Sequence, residues 1–287
     1  MSAAAAAVAA GLVAILVSLA VERFGGRVGG VLGSVPTTIV PLSIGLLRIS
    51  ESAASFQNAL AMAPAGMLLN AGFLWLWRHL PPRLASIRAD RRLAWVTALS
   101  LGAWLGAAVI VVVAGRRLLS GGQPLLPLGW ALAMLLSIAG VLACRGRRPA
   151  PRASRAVSPV TLLARGALAA AAVGGASLLA HHSPLAAGMA GVFPAIFLTT
   201  MVSLWLAQGE AVPLGAVGPL MLGSTSVAVY ALLSATLMPR LGALAGAAGA
   251  WLSAVGLITV PALIWQGRQG APPEATGPTA SEAFPGG

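Results

Sequence analysis

The segment Leu80-Pro81-Pro82-Arg83-Leu84 in the first half of the chain recurs in the second half as Leu237-Met238-Pro239-Arg240-Leu241. Two further pairs keep the same order: Gly102-Ala103-Trp104-Leu105 matches Gly249-Ala250-Trp251-Leu252, and the segment from Gly29 to Pro36 matches the segment from Ala187 to Pro194. Each match alone is weak in a chain rich in Ala, Leu and Gly. Three matches in order, one of them sharing a tryptophan, predict an internal duplication.

The composition predicts the class of protein before any motif is considered. Of the 287 residues, 58% are hydrophobic and only 8% are charged, and the mean hydropathy is +0.89. Soluble domains carry about 25% charged residues, so this chain is expected to be an integral membrane protein. Its apolar runs do not alternate with polar residues as the strands of a membrane β-barrel do, which predicts an all-α polytopic fold.

Nine apolar segments are long enough to cross a bilayer. A membrane-spanning helix needs about 20 mostly apolar residues to cross the hydrocarbon core. The predicted spans cover residues 3–21, 28–48, 55–77, 93–114, 124–144, 158–180, 184–207, 211–236 and 241–265.

The net charge of +12 indicates orientation in the membrane and not binding to nucleic acid. The 18 basic residues are all arginine, and they concentrate in the loops that follow spans three and five. By the positive-inside rule both loops are cytoplasmic. We therefore expect a protein of the cell (inner) membrane whose N-terminus lies outside and whose C-terminus lies in the cytoplasm.

This topology predicts that the second repeat is inverted relative to the first, because the charges put Arg83 inside and Arg240 outside. Spans one to four then pair with spans six to nine, and span five is unpaired. The predicted parts are listed by residue number: first repeat 1–120, linking span 121–144, cytoplasmic Arg/Pro linker 145–158, inverted repeat 159–266 and disordered cytoplasmic tail 267–287. Inverted repeats are a recurrent construction of secondary transporters.

The chain offers few groups for catalysis or for holding a metal ion. It has one cysteine, no lysine and a single aspartate, Asp90, in a predicted loop. The adjacent His181 and His182 point about 100° apart on a helix and share no face. Intramembrane catalysis needs a nucleophile with a base, paired carboxylates or a metal. We expect no enzyme activity, no metal site and no cofactor.

Prolines and small polar residues in spans two and seven are the first candidates for a solute site. Pro36 and Pro194 both fall near the middle of the membrane, where proline kinks or breaks a helix. A break would let Ser34 cap the second half-helix and expose amide donors to a solute. Thr37, Thr38, Thr199 and Thr200 lie beside these breaks. The alternative is that the prolines only bend helices or allow close packing.

Spans three and eight add polar candidates and the links add two carboxylates. Asn58, Asn70, Ser224 and Thr225 lie within predicted spans. Asn70 is the strongest single candidate, because an amide in hydrocarbon needs a partner outside its own helix. Glu51 and Glu210 occupy equivalent links on opposite sides of the membrane, as two gates would, although a solvated loop carboxylate is the simpler interpretation. Trp104 and Trp251 lie mid-span and are expected to pack.

These features predict a secondary transporter or facilitator of a small solute, working by alternating access between inverted repeats. Two alternatives stay open: a non-catalytic membrane scaffold or assembly factor, and a channel. The expected partners are the lipid bilayer and a small solute or ion, without nucleic acid, and Gly-rich faces would also allow a homodimer.

Overall fold

The fold is known from a computed structural model that describes residues 3–24, 35–145 and 158–268. Within these ranges the chain forms helices and turns and contains no strand. The helices in chain order are α1 Ala3–Phe24, α2 Ile39–Ile49, α3 Ala53–Ala61, α4 Ala63–Arg83, α5 Ala89–Ser120, α6 Leu125–Cys144, α7 Pro159–Ala180, α8 Pro184–Ala190, α9 Ala195–Gln208, α10 Ala211–Leu241, α11 Ala243–Ala254 and α12 Val260–Arg268.

Seven of the described helical segments are long and apolar enough to cross a membrane. They correspond to predicted spans three to nine, with α3–α4, α8–α9 and α11–α12 each forming one span from shorter pieces. This all-helical architecture is that of a polytopic membrane protein, as the composition predicted. For span one the structure describes α1, and for span two it describes α2, whose preceding residues 25–34 lie outside the described part of the chain.

Helix α10 lies at the centre of the bundle and α5 at its periphery. The apolar window of α10 is 78% buried, whereas that of α5 is 22% buried. Helices α3, α4, α6 and α11 all pack against α10. On the outer faces, side chains such as Ile110 and Leu244 are exposed, as expected for helices that meet lipid.

Glycines set the closest helix contacts. A Cβ atom on Gly188 of α8 would lie 1.8 Å from the carbonyl oxygen of Ala59 in α3. On α6, a Cβ atom on Gly140 would lie 2.6 Å from the Cα of Leu222 in α10. Backbones therefore touch at both contacts, in the way that small residues permit in membrane bundles.

Prolines interrupt some helices and are tolerated in others. The helix of the α3–α4 span is interrupted at Met62, two residues before Pro64, which the sequence analysis did not predict. Helix α10 continues through Pro219, where the preceding residue is Gly218. Gly218 has no Cβ to clash with the proline ring, but α10 also continues through Pro239, which follows Met238. A π-helical turn, Val255–Thr259, lies directly before Val260 and Pro261 and accommodates that proline.

Candidate functional site

Two proline-centred turns begin α2 and α9. In the first, the amide of Thr37 donates to the carbonyl of Val35 across Pro36 at 2.7 Å. In the second, the amide of Ala195 donates to the carbonyl of Phe193 across Pro194, also at 2.7 Å. A hydrogen bond between residues i and i+2 closes a γ-turn. The sequence alignment of the two halves pairs these same residues.

Bulky residues precede both prolines and favour a turn at these positions. Proline lacks an amide hydrogen and disfavours the helical conformation of its predecessor, more so when that residue carries a Cβ. Val35 and Phe193 precede the two prolines. Helix α8 therefore ends at Ala190 and α9 begins at Ala195, and the four residues between them form the segment that we call the 191–194 turn.

Residues of the first half of the chain surround the 191–194 turn. Leu42 of α2 lies against Gly191, where a Cβ would be 2.1 Å from the Cδ2 of Leu42. A Cβ on Gly66 of α4 would lie 2.2 Å from the Cγ2 of Val192. The rings of Trp104 on α5 and Phe193 meet edge to face with centroids 5.4 Å apart. The turn is therefore tightly enclosed by α2, α4 and α5.

The side-chain amide of Asn70 bonds to both the 191–194 turn and α5. Its Nδ2 donates to the carbonyl oxygen of Val192 at 2.9 Å, and its Oδ1 accepts from the indole Nε1 of Trp104 at 2.7 Å. Asn70 is 1% exposed, so these bonds lie in the protein interior. A carbonyl in a turn inside a bundle needs such a partner, because no water is available there. Sequence analysis selected Asn70 as a candidate and expected Trp104 to pack.

The hydroxyl candidates mostly bond to nearby backbone carbonyls. Thr37 Oγ1 donates to Val35, Thr199 Oγ1 to Ala195, and Ser224 Oγ to Met221. Thr225 is 1% exposed, and its hydroxyl has no hydrogen-bond partner among the described residues. Thr38, Asn58 and Thr200 are half-buried. Thr38, at the start of α2, makes no side-chain cap, and the candidate cap Ser34 lies outside the described residues.

A second buried polar contact joins the two halves and was missed in the sequence. Ser43 on α2 and Tyr230 on α10 bring their hydroxyl oxygens to 2.8 Å, and both residues are fully buried. Ser43 also donates to the carbonyl of Val40. Tyr230 is the single tyrosine of the chain and lies in the middle of an apolar run, which was the available signal.

The two link carboxylates have different surroundings. Glu210, directly before α10, receives a hydrogen bond from Arg92 Nη1 at 2.5 Å. Glu51, between α2 and α3, is exposed. Across residues 3–24, 35–145 and 158–268, no group of three or more His, Cys, Asp or Glu side chains could hold a metal ion.

Comparison of the chain with protein-family models, with curated proteins and with solved structures found no match.

Proposed function

We propose that this protein is a secondary transporter or facilitator of a small solute, working by alternating access between two inverted repeats of four spans each. The observation that carries the proposal is the pair of proline-centred turns before α2 and α9, which occupy equivalent positions in the two halves with the same 2.7 Å hydrogen bond. Interrupted helices at matching positions in two halves are the sequence and structural pointer to a transport site.

The pattern of helix contacts supports a twofold relation between the halves. If spans one to four correspond to spans six to nine, helix contacts should recur in equivalent pairs. Most do, although in the described part of the chain the contact of α2 with α7 has no comparably extensive counterpart between α1 and the α8–α9 span. Helices α1 and α7 pair directly, as do α4 and α10. The contact of α2 with α10 corresponds to the contacts of α4 with α8 and α9. The contact of α5 with α8 corresponds to the contact of α2 with α11. Helix α6, the unpaired span, packs on both α4 and α10.

In this scheme of nine spans, each helix of the second repeat comes five spans after its equivalent in the first. Because this offset is odd, the second repeat is inverted in the bilayer. The arginine-rich links then lie in the cytoplasm, with the N-terminus outside and the C-terminus inside. The membrane is the cell membrane.

The solute passage in this proposal runs along the interface where α2, α4 and α5 enclose the 191–194 turn. Asn70 and Trp104 lie there, and the carbonyl of Val192 is held by a bond that a solute could exchange for its own. Polar residues inside membrane bundles meet another helix, water or a ligand. Ser34, Thr37, Thr38, Asn58, Thr199, Thr200, Ser224 and Thr225 are further residues of the proposed passage.

A flux measurement tests the proposal. Purified protein is first screened by thermal shift against small polar metabolites and inorganic ions, because a ligand present at about 100 times its Kd stabilises by about 2.7 kcal/mol. Uptake of each stabilising compound is then measured in proteoliposomes. We expect saturable uptake, and we expect Asn70→Ala and Thr37→Val to lower it about tenfold, the effect of losing about 1.4 kcal/mol.

The control for this experiment is Ser120→Ala, because Ser120 is exposed at the end of α5. It should transport as the unmodified protein does. Folded, monodisperse protein that moves no compound, or variants with unchanged kinetics at both Asn70 and Thr37, would contradict the proposed passage.

The bonds of Asn70 favour a second candidate, a membrane scaffold or assembly factor. Both ends of its amide are bonded within the protein, so its burial is accounted for without a solute. A scaffold would show no flux in the same proteoliposomes and would purify from its native membrane with a stoichiometric partner.

A further inference from the structure

One arginine joins the two halves at the end of the bundle that carries the α4–α5 and α9–α10 links. Arg92 Nη1 meets Glu210 Oε2 at 2.5 Å, while Nη2 donates to the carbonyls of Ala85 and Ile87 at 3.0 and 2.9 Å. The side chains of Arg92 and Glu210 are 17% and 32% exposed. A single guanidinium therefore fixes the α4–α5 link and attaches it to the start of α10.

The start of α10 lies directly on the end of α6 at this same end. Arg78 of α4 donates to the carbonyls of Ala143 on α6 and Leu214 on α10, at 3.2 and 3.4 Å. A Cβ on Gly218 would lie 2.8 Å from the Ala143 oxygen and 3.0 Å from the sulfur of Cys144. Helix α10 thus covers the buried Cys144 through Gly218 and Leu222, and Ala262 of α12 packs in the same cluster.

The opposite end of the bundle lacks this connection. Glu51 is the repeat equivalent of Glu210, and it is exposed. Among the residues that the structure describes, no salt bridge involves Glu51. In the part of the chain that the structure describes, the two ends of the bundle are therefore held differently, one by an ion pair between the halves and the other without one.

We infer that the Arg92–Glu210 pair is a latch that holds the bundle closed at the end of the α4–α5 and α9–α10 links. When the latch opens, the first turns of α10 separate from α6. The inference rests on the proposed alternating access, in which each end must open in turn. A partly exposed ion pair suits such a switch because it contributes little net stability and can break and re-form.

Cys144, the single cysteine of the chain, reports this opening without any engineered label site. The experiment measures the rate of N-ethylmaleimide modification of Cys144 in proteoliposomes by intact-mass spectrometry, on the full chain. Glu210→Gln should label roughly two- to fivefold faster than the unmodified protein, the shift expected from losing one such pair. Arg91→Gln is the matched control, because Arg91 is an exposed neighbour of Arg92 on α5, and it should label at the unmodified rate.

Two further variants identify the pair as the cause. Arg92→Gln should label faster as well. The double variant Arg92→Gln/Glu210→Gln should label no faster than the quicker single variant, because the same ion pair is lost in all three. Arg92→Lys keeps the charge and should label more slowly than Arg92→Gln. Labelling of Glu210→Gln at the unmodified rate, or effects of the two single variants that multiply in the double variant, would overturn the latch.

These outcomes are separate from those of the flux measurement, since labelling needs no solute. If no compound is transported but Glu210→Gln still speeds labelling, the latch stands and the transport proposal fails. If flux is found and labelling does not respond to the variants, transport stands and the latch is wrong. Thermal unfolding of each variant, with a Tm close to that of the unmodified protein, excludes faster labelling through loss of fold.

Discussion

Two buried polar contacts join the halves of this protein, and they differ in what remains when one partner is removed. Asn70 bonds to the Val192 carbonyl and to the Trp104 indole, and the indole nitrogen has only a donor to offer. Ser43 and Tyr230 bond to each other, but Ser43 also reaches the carbonyl of Val40 in its own helix. The first contact is therefore harder to replace than the second.

A hydrogen bond inside a membrane bundle constrains the helix packing more strongly when its two partners have no other group to which they can bond. A hydroxyl can return to a carbonyl of its own helix, whereas a turn carbonyl and an indole cannot. The α4 contact with the 191–194 turn should accordingly determine the packing of the halves more strongly than the α2–α10 contact.

The largest loss of stability should come from separating the α3 and α8 backbones, which support the contact of Asn70 with the 191–194 turn. Gly188→Ala puts a Cβ 1.8 Å from the Ala59 carbonyl, so α8 must move away from α3 and carry the 191–194 turn away from Asn70. Overpacking of this kind costs about 1–3 kcal/mol and occasionally more. Thermal unfolding in detergent should show a clear fall in Tm. The matched control is Gly175→Ala on α7, which meets open space and should be neutral or slightly stabilising.

Asn70→Leu should have the next largest effect. The substitution keeps most of the volume but leaves the Val192 carbonyl and the Trp104 indole without partners. Leaving a buried group unsatisfied costs about 1–3 kcal/mol, and measured bonds in membrane bundles average about 0.6 kcal/mol, so we expect a loss of about 2 kcal/mol. Combining it with Trp104→Phe should cost less than the sum of the two single changes, and full additivity in this double-mutant cycle would argue against the bond.

Tyr230→Phe should destabilise less, by about 0.6 kcal/mol, the average for a hydrogen bond in a membrane bundle. The ring still fills its site, and Ser43 keeps the Val40 carbonyl. The same unfolding assay measures it beside Ser43→Ala. A loss for Tyr230→Phe equal to that for Asn70→Leu would remove the difference between the two contacts.

The smallest change in stability should come from Glu51→Gln, which compares the exposed Glu51 with the ion-paired Glu210 at the other end of the bundle. Exposed substitutions away from special contacts usually change stability by less than about 0.5 kcal/mol. Neither the Tm nor the labelling rate of Cys144 should respond, in contrast to Glu210→Gln. An accelerated Cys144 reaction in Glu51→Gln would mean that the α2–α3 link also controls the opposite end of the bundle.

The limits of sequence analysis are visible at the prolines and at the buried polar groups. The alignment of Pro36 with Pro194 pointed to two turns of the same kind, since the clash of a proline with its neighbours is local. The same rule applied to Pro64 could have indicated the interruption at Met62, whereas Pro219 and Pro239 both lie inside α10. Partners were not foreseeable: Trp104 was expected to pack, and Ser43 and Tyr230 were not selected.

The sequence by itself determined that this chain is helical, that its apolar segments are long enough for a membrane and that the chain turns at Pro36 and Pro194. Each of these follows from properties of neighbouring residues: the length of an apolar run, the missing amide of proline and the bulk of the residue before it. Only the tertiary structure decided that Asn70 meets Val192 and Trp104, that Ser43 meets Tyr230 and that Arg92 meets Glu210. Those contacts join residues far apart in the chain, so they depend on how whole helices pack, and helix packing in turn depends on where glycines let two backbones touch.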